Sequence, residues 1–120
     1  MGLDIYFNKV KTKELKSFRK INFLVRFFKD KGMDVEHQHP IWVDKEDCEK
    51  LISLCTQVLS DHFKAKELLP TMSGFFFGST DYDEHYFSNV KAVKDWVQDI
   101  LLPQFDSLAD NEYIQFAIWY

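Results

Sequence analysis

At 120 residues, 46% hydrophobic and 28% charged, the chain has the size and composition of one folded domain with its own core, which excludes a disordered chain. Aromatics stand out at 17%, twelve of them Phe, so the core is expected to be built of large rings. The formal charge is −4, but residues 9–31 hold nine Lys and Arg against only Glu14 and Asp30, a local +7 that leaves −11 elsewhere.

That asymmetry fits a basic contact face on an acidic body, or two parts that neutralise each other across the fold. Met1 to Asn8 has no apolar run and carries Asp4, and no segment has the length of a membrane span. A cytoplasmic protein with no signal peptide and no membrane association is therefore expected. Cys48 and Cys55 are seven apart in a helical pattern, about 10 Å along one face. A disulfide needs Cα atoms within about 7 Å, so both are expected to be free, buried thiols in a reducing compartment.

In chain order, Gly2 to Asn8 alternates, with Leu3, Ile5 and Phe7 on one side and Asp4, Tyr6 and Asn8 on the other. That is a half-buried strand. Leu15 to Lys31 reads as a helix with Phe18, Ile21, Leu24, Val25 and Phe28 in one stripe and Lys16, Arg19, Phe23, Arg26 and Phe27 opposite. Gly32 is its stop, with Lys29 and Lys31 in the last turn. A polar loop from Met33 to Pro40 follows, and Ile41-Trp42-Val43 is a short strand or an apolar lead-in. Asp44 is a helix N-cap with Asp47 in the capping-box position. The stripe Cys48, Leu51, Ile52, Cys55, Val58, Leu59 carries that helix to about Lys66. Asp81-x-x-Glu84 resembles a second capping box, for a helix with Phe87, Val90, Val93, Val97, Ile100 and Leu101 on one face, ended or kinked by Pro103. Tyr113 to Tyr120 is the strongest strand signal, and its expected partner is the N-terminal strand.

The stretch from Leu68 to Val90 concentrates the unusual chemistry. Pro70, Gly74 and Gly78 break it, Phe75, Phe76, Phe77, Tyr82, Tyr86 and Phe87 fall within thirteen residues, and Asp81, Asp83, Glu84 and His85 sit among them. Gly74 to Thr80 could cradle a phosphate, but the spacing is not that of a P-loop, the lysine is missing, and Asp81, Asp83 and Glu84 would repel the anion. A tight turn before a capped helix explains the same residues. Glu36, His37 and His39, or Asp81, Asp83, Glu84 and His85, have metal-ligand chemistry but no fixed-spacing motif, and solvated loops explain them. The basic face with Phe23 and Phe27 offers charge and stacking surfaces to nucleic acid, against an overall pI of 5.5. No appreciable binding at physiological salt is expected. Both cysteines lie on an apolar helix face, where they pack rather than react.

The opening MGLDIY, the segment LLPT-x-SGFFFGSTDYDE-x-YF and the helix KEDCEKLISLC-x-x-VL together resemble a family of small uncharacterised proteins encoded mainly by bacteriophages and prophages. The resemblance covers most of the chain and is weakest from Lys29 to Pro40 and after Leu102. It implies no activity, cofactor or catalytic residue. By analogy with small phage proteins outside the structural and replication sets, it implies binding to host components.

The expectation is thus an α+β protein, residues 1–120 as a single domain, with three main helices on a small sheet formed by the N- and C-terminal strands. It is expected to be non-enzymatic, without cofactor or metal, and to modulate a host process through a protein partner. The alternatives are a small-ligand or nucleotide pocket at residues 74–87 and nucleic-acid binding by the helix at 15–31. Phe76, Ser79, Thr80, Asp81, Tyr82, His85 and Tyr86 are the candidate ligand- or partner-binding residues.

Overall fold

A computed structural model of the chain describes residues 2–9, 13–74 and 77–120. By its contacts the chain gathers into two compact units, one of residues 1–43, 71–80 and 112–120, the other of residues 44–70 and 81–111. The fold is α+β, as its pattern of periods implies.

The first unit is built on a four-stranded antiparallel sheet of β1 (Asp4–Lys9), β2 (Lys13–Arg19), β3 (Ile41–Val43) and β4 (Ile114–Trp119), in the order β2-β1-β4-β3. The terminal strands do pair, antiparallel and at the centre of the sheet, with Asp4 opposite Trp119 and Ile5 opposite Ile118. Alternation sends Leu3, Ile5 and Phe7 and the facing Ile114, Phe116 and Ile118 inward, all buried. The other face carries half-buried Tyr6, Gln115 and Ala117 and exposed Trp42 and Trp119. Helix α1 (Asn22–Lys31) covers the inner face, where the Phe28 ring stacks on Phe116 with centroids 4.1 Å apart and meets Phe7 edge-on at 6.1 Å. Gly32, at φ 131°, ends α1 by donating to the Phe28 and Lys29 carbonyls, a conformation suited to glycine.

The expected helix from Leu15 is corrected. Its first part is β2, and only Asn22 onward is helical. Leu15 and Phe18 are three apart, which reads as helical. Here the β1–β2 register shifts between Phe7 and Asn8, an irregularity that leaves both half-buried in a strand. Lys20, at φ 58°, then turns the chain from β2 into α1. The loop after α1 is less polar than its sequence, since Met33 and Val35 are buried and Tyr120 donates its hydroxyl to the Val35 carbonyl at 3.1 Å.

In the second unit α2 (Lys45–Ser60) packs on α4 (Glu84–Trp96). Asp44 begins α2 and its backbone N–H donates to the Asp47 carboxylate at 2.8 Å. Cys48, Leu51, Cys55 and Val58 are buried on α2, and Tyr86, Val90 and Val93 on α4. Helix α2 stops at Ser60, short of the expected Lys66, because Asp61 turns extended and caps a 3-10 turn, His62–Lys64, by accepting from the Phe63 N–H. A one-turn helix α3 (Ala65–Leu68) follows. Pro103 does not end the last helical run. A π-helical turn, Val97–Leu101, precedes α5 (Leu102–Gln104), and the path continues to Ser107. Proline lacks an N–H and crowds the carbonyl four residues back, and the wider turn ahead of it removes both conflicts.

Candidate functional site

The glycine-aromatic stretch is divided, with residues 71–80 in the first unit and the part from Asp81 onward in the second. In the first unit the organiser is Asn22, the only buried polar or charged side chain among the described residues. Its amide donates to the Phe77 carbonyl at 3.1 Å and the Ser79 carbonyl at 2.8 Å, and its oxygen accepts from the Met72 N–H at 3.1 Å. Thr71 ties the same loop by donating to the Thr80 carbonyl at 3.0 Å. Ser79 and Thr80 are exposed, and Phe77 is buried with its ring edge-on to Tyr120 at 5.1 Å. Phe76 and Phe75 lie outside the described residues. Gly78 sits at φ 88°, where a side chain is strained, and a Cβ on Gly74 would press the Phe77 ring at 3.1 Å. An open concavity of about 430 Å³ lies beside this loop, floored by Met33, Met72, Phe77 and Tyr120, with Lys29, Asp34 and Glu36 on its rim.

In the second unit Asp83, not Asp81, caps α4, its carboxylate accepting from the Tyr86 N–H at 3.0 Å. Tyr86 is buried and donates its hydroxyl to the Leu69 carbonyl at 2.7 Å, so it fastens α4 to the end of α3. Asp81 and His85 are exposed. Tyr82 is half-buried, edge-on to Tyr86 at 5.0 Å, with Lys66 Nζ 5.8 Å from its ring centre. Beside it runs an aromatic ridge. The His62 imidazole lies flat on Phe87, centroids 3.6 Å apart and planes 11° from parallel. Phe63, next in the chain, is 99% exposed. Two open concavities flank the ridge and share His62, Tyr82 and Phe87. One of about 640 Å³ extends toward Leu59, Asp83, Glu84 and Lys91, and one of about 460 Å³ toward Phe63 and Lys66.

Sequence reasoning placed Tyr82 here but missed His62, Phe63 and Lys66. The usable signal was Ser60-Asp61, a pair that favours caps and therefore a break in α2. The expected basic face is not the face of one helix. Lys16 and Arg19 stand on β2, Phe23 is buried, and Arg26 pairs with Asp30 at 3.2 Å. In the loop after α1, His37 donates to Asp34 from its backbone and approaches it with its ring, and these bonds hold the Asp34 carboxyl below its ordinary range. Among the described residues no group of three or more His, Cys, Asp or Glu could hold a metal ion, and no helix is long and apolar enough to cross a membrane.

Burial raises the Cys55 thiol to about 12, against a small opposing effect of Lys94. It also raises the Tyr86 phenol far above its ordinary value, with Tyr82 and Cys55 adding to the shift. Neither Cys48 nor Cys55 is in a disulfide, and both are buried. Two results are expected. In native protein at pH 8 neither thiol should react with an aromatic disulfide reagent, whereas both should in denaturant. The unfolded chain releases the Cys55 and Tyr86 protons from pH 9–10 while the folded chain keeps them. Stability should therefore be level below pH 9 and fall above it by about 1.4 kcal/mol per pH unit per group. Denaturant titrations from pH 7 to pH 11 would show this, and a stability that rises with alkali would refute it.

No curated protein matches the chain, and no solved structure matches it. One family model does, a domain of unknown function, DUF7637, and it spans residues 3–92. The match takes in residues 3–43 and 71–80 of the first unit, without its C-terminal strand, and α2, α3 and most of α4 in the second. The chain belongs to the DUF7637 family.

Proposed function

We propose that this is a small phage-type accessory protein of the cytoplasm that catalyses no reaction and modulates a host process by binding a protein partner at the Phe63–Phe87 ridge. The observation that carries the reading is Phe63, whose ring is 99% exposed beside the stacked His62 and Phe87. A lone exposed ring is unremarkable, but aromatic rings grouped around open concavities have the composition of an interface centre. Tyr82, just ahead of α4, is the residue expected from sequence that belongs to this patch, and His85 stands on the first turn of α4. The phage assignment rests on the GFFFGSTDYDE segment and the chain's other motifs. The test is Phe63→Ser. Because the side chain touches so little, the melting temperature should stay within about 2 °C, while partner captured from host lysate is lost. Capture that survives in folded Phe63→Ser protein would refute the ridge as the docking surface.

The 430 Å³ concavity beside Phe77 favours a second reading, a small apolar ligand held in the first unit. Native mass spectrometry of freshly purified protein would detect such a ligand as a fixed mass increment lost on denaturation.

A further inference from the structure

The chemistry around the ridge narrows the kind of segment it takes. We infer that it binds an extended peptide segment of its protein partner that carries Arg or Lys between apolar residues, with the cation held against the Tyr82 ring; this rests on the reading above.

Three observations lead there. First, Tyr82 already has a cation at its ring, since Lys66 Nζ stands 5.8 Å from the centroid. The ring face is thus accessible to positive charge, and the attraction of a cation to the π-face is general. Second, the unit that carries the ridge is acidic as a whole. The second unit holds thirteen Asp and Glu against six Lys, while the first holds six against nine Lys and Arg. At the lip of the larger concavity Asp83 is partly committed to the Tyr86 N–H, and Glu84 is exposed. Lys91 lines the same concavity, but its ammonium is bound to Asp95 at 2.6 Å and so opposes an incoming cation little. Third, the two concavities meet at His62, Tyr82 and Phe87, so a strand-like segment can place alternate side chains in each. Lys66 then acts as an internal competitor for the Tyr82 face.

The experiment titrates the full chain into three labelled probes and reads anisotropy: acetyl-Leu-Arg-Leu-Arg-Leu-Arg-amide and its counterparts with Ser or Glu in place of Arg. The Arg probe should bind about tenfold tighter than the Ser probe, and the Glu probe weakest. Added salt should narrow that gap. Glu84→Gln should weaken the Arg probe about threefold and leave the Ser probe unchanged. Lys66→Met should tighten the Arg probe, also about threefold, which a merely structural role for Lys66 would not do. Equal affinity for the Arg and Ser probes, no binding of the Arg probe, or indifference to both substitutions would each overturn the inference. The reading beneath it fails separately. If the Ser probe binds as well as the Arg probe and Phe63→Ala weakens both, the ridge docks apolar segments and only the cation is wrong. If Phe63→Ala changes no probe's affinity, the ridge is not the surface at all.

Discussion

Phe28→Ala should destabilise the protein by about 3–5 kcal/mol, the largest effect of any single truncation in the first unit. The Phe28 ring is buried, lies face to face with Phe116 and meets Phe7 and Phe27 edge-on. Removing it takes away the transfer free energy of a whole ring and leaves a cavity lined by rings of fixed shape, which collapse poorly into the space. Phe7 and Phe116 sit on the two central strands, so the same cavity loosens the sheet from α1. Urea denaturation followed by circular dichroism would measure the loss. Phe27, half-buried at the margin of the same cluster, provides the comparison. Phe27→Ala should cost less than half as much. A cost for Phe28→Ala below about 1.5 kcal/mol would mean that the ring is not at the core.

Asn22→Leu should cost about as much for the opposite reason. Leucine keeps the volume but makes none of the three hydrogen bonds to the Phe77 carbonyl, the Ser79 carbonyl and the Met72 N–H. Each buried backbone group left without a partner costs about 1–3 kcal/mol, so about 3–5 kcal/mol is expected after partial relaxation toward water. The signature is local as well as global. Hydrogen exchange of the Met72 amide should accelerate far more than that of amides within β1 and β4, because the loop loses its tether before the sheet melts. A loss below about 1 kcal/mol, with Met72 protection unchanged, would show that the loop is held by its backbone alone.

The elements that sequence reasoning found are those whose packing partner is dictated by their own period. Cys48, Leu51, Cys55 and Val58 of one expected stripe, and Val90, Val93, Val97 and Leu101 of the other, are buried, whereas Ile52, Leu59 and Phe87 are half-buried and Ile100 is exposed. The N-terminal strand was legible because Leu3, Ile5 and Phe7 alternate with Asp4, Tyr6 and Asn8, and the C-terminal strand because Tyr113 to Tyr120 is almost wholly β-branched or aromatic. What failed depends on neighbours. Leu15 and Phe18 suit a helix by spacing, and only the irregular pairing with β1 makes them strand residues. Pro103 stops a regular helix, yet the π-turn before it is a property of the backbone conformation, not of any residue type. Asp81 and Asp83 are equal as caps by composition, and the choice of Asp83 follows from where Tyr86 must stand to reach the Leu69 carbonyl.

The ridge was illegible for a related reason. In sequence Phe63 continues the apolar content of α2, and a helix carried to Lys66 gives it no special standing. Its exposure comes from Asp61, which ends the helix and turns the chain so that His62 meets Phe87 and Phe63 points away. Tyr86 and Tyr82 show the same dependence, since Tyr86 is buried on the first turn of α4 while Tyr82, just ahead of the helix, is half-buried. Composition therefore located the region of aromatic and acidic chemistry and left open which rings face water.

The pairing of β1 with β4 also bears on how the protein is made. Asp4 emerges from the ribosome long before its partner Trp119. At about 5–20 residues per second, β1 waits roughly 5–20 s for the strand that fills the centre of its sheet. Until then β1 and β3 have no common neighbour, and Leu3, Ile5 and Phe7 stay available to other nascent chains. Newly made protein should accordingly engage cellular holdases until residues 114–119 are released, and its folding yield in a cell-free system should rise sharply only when translation has passed Trp119.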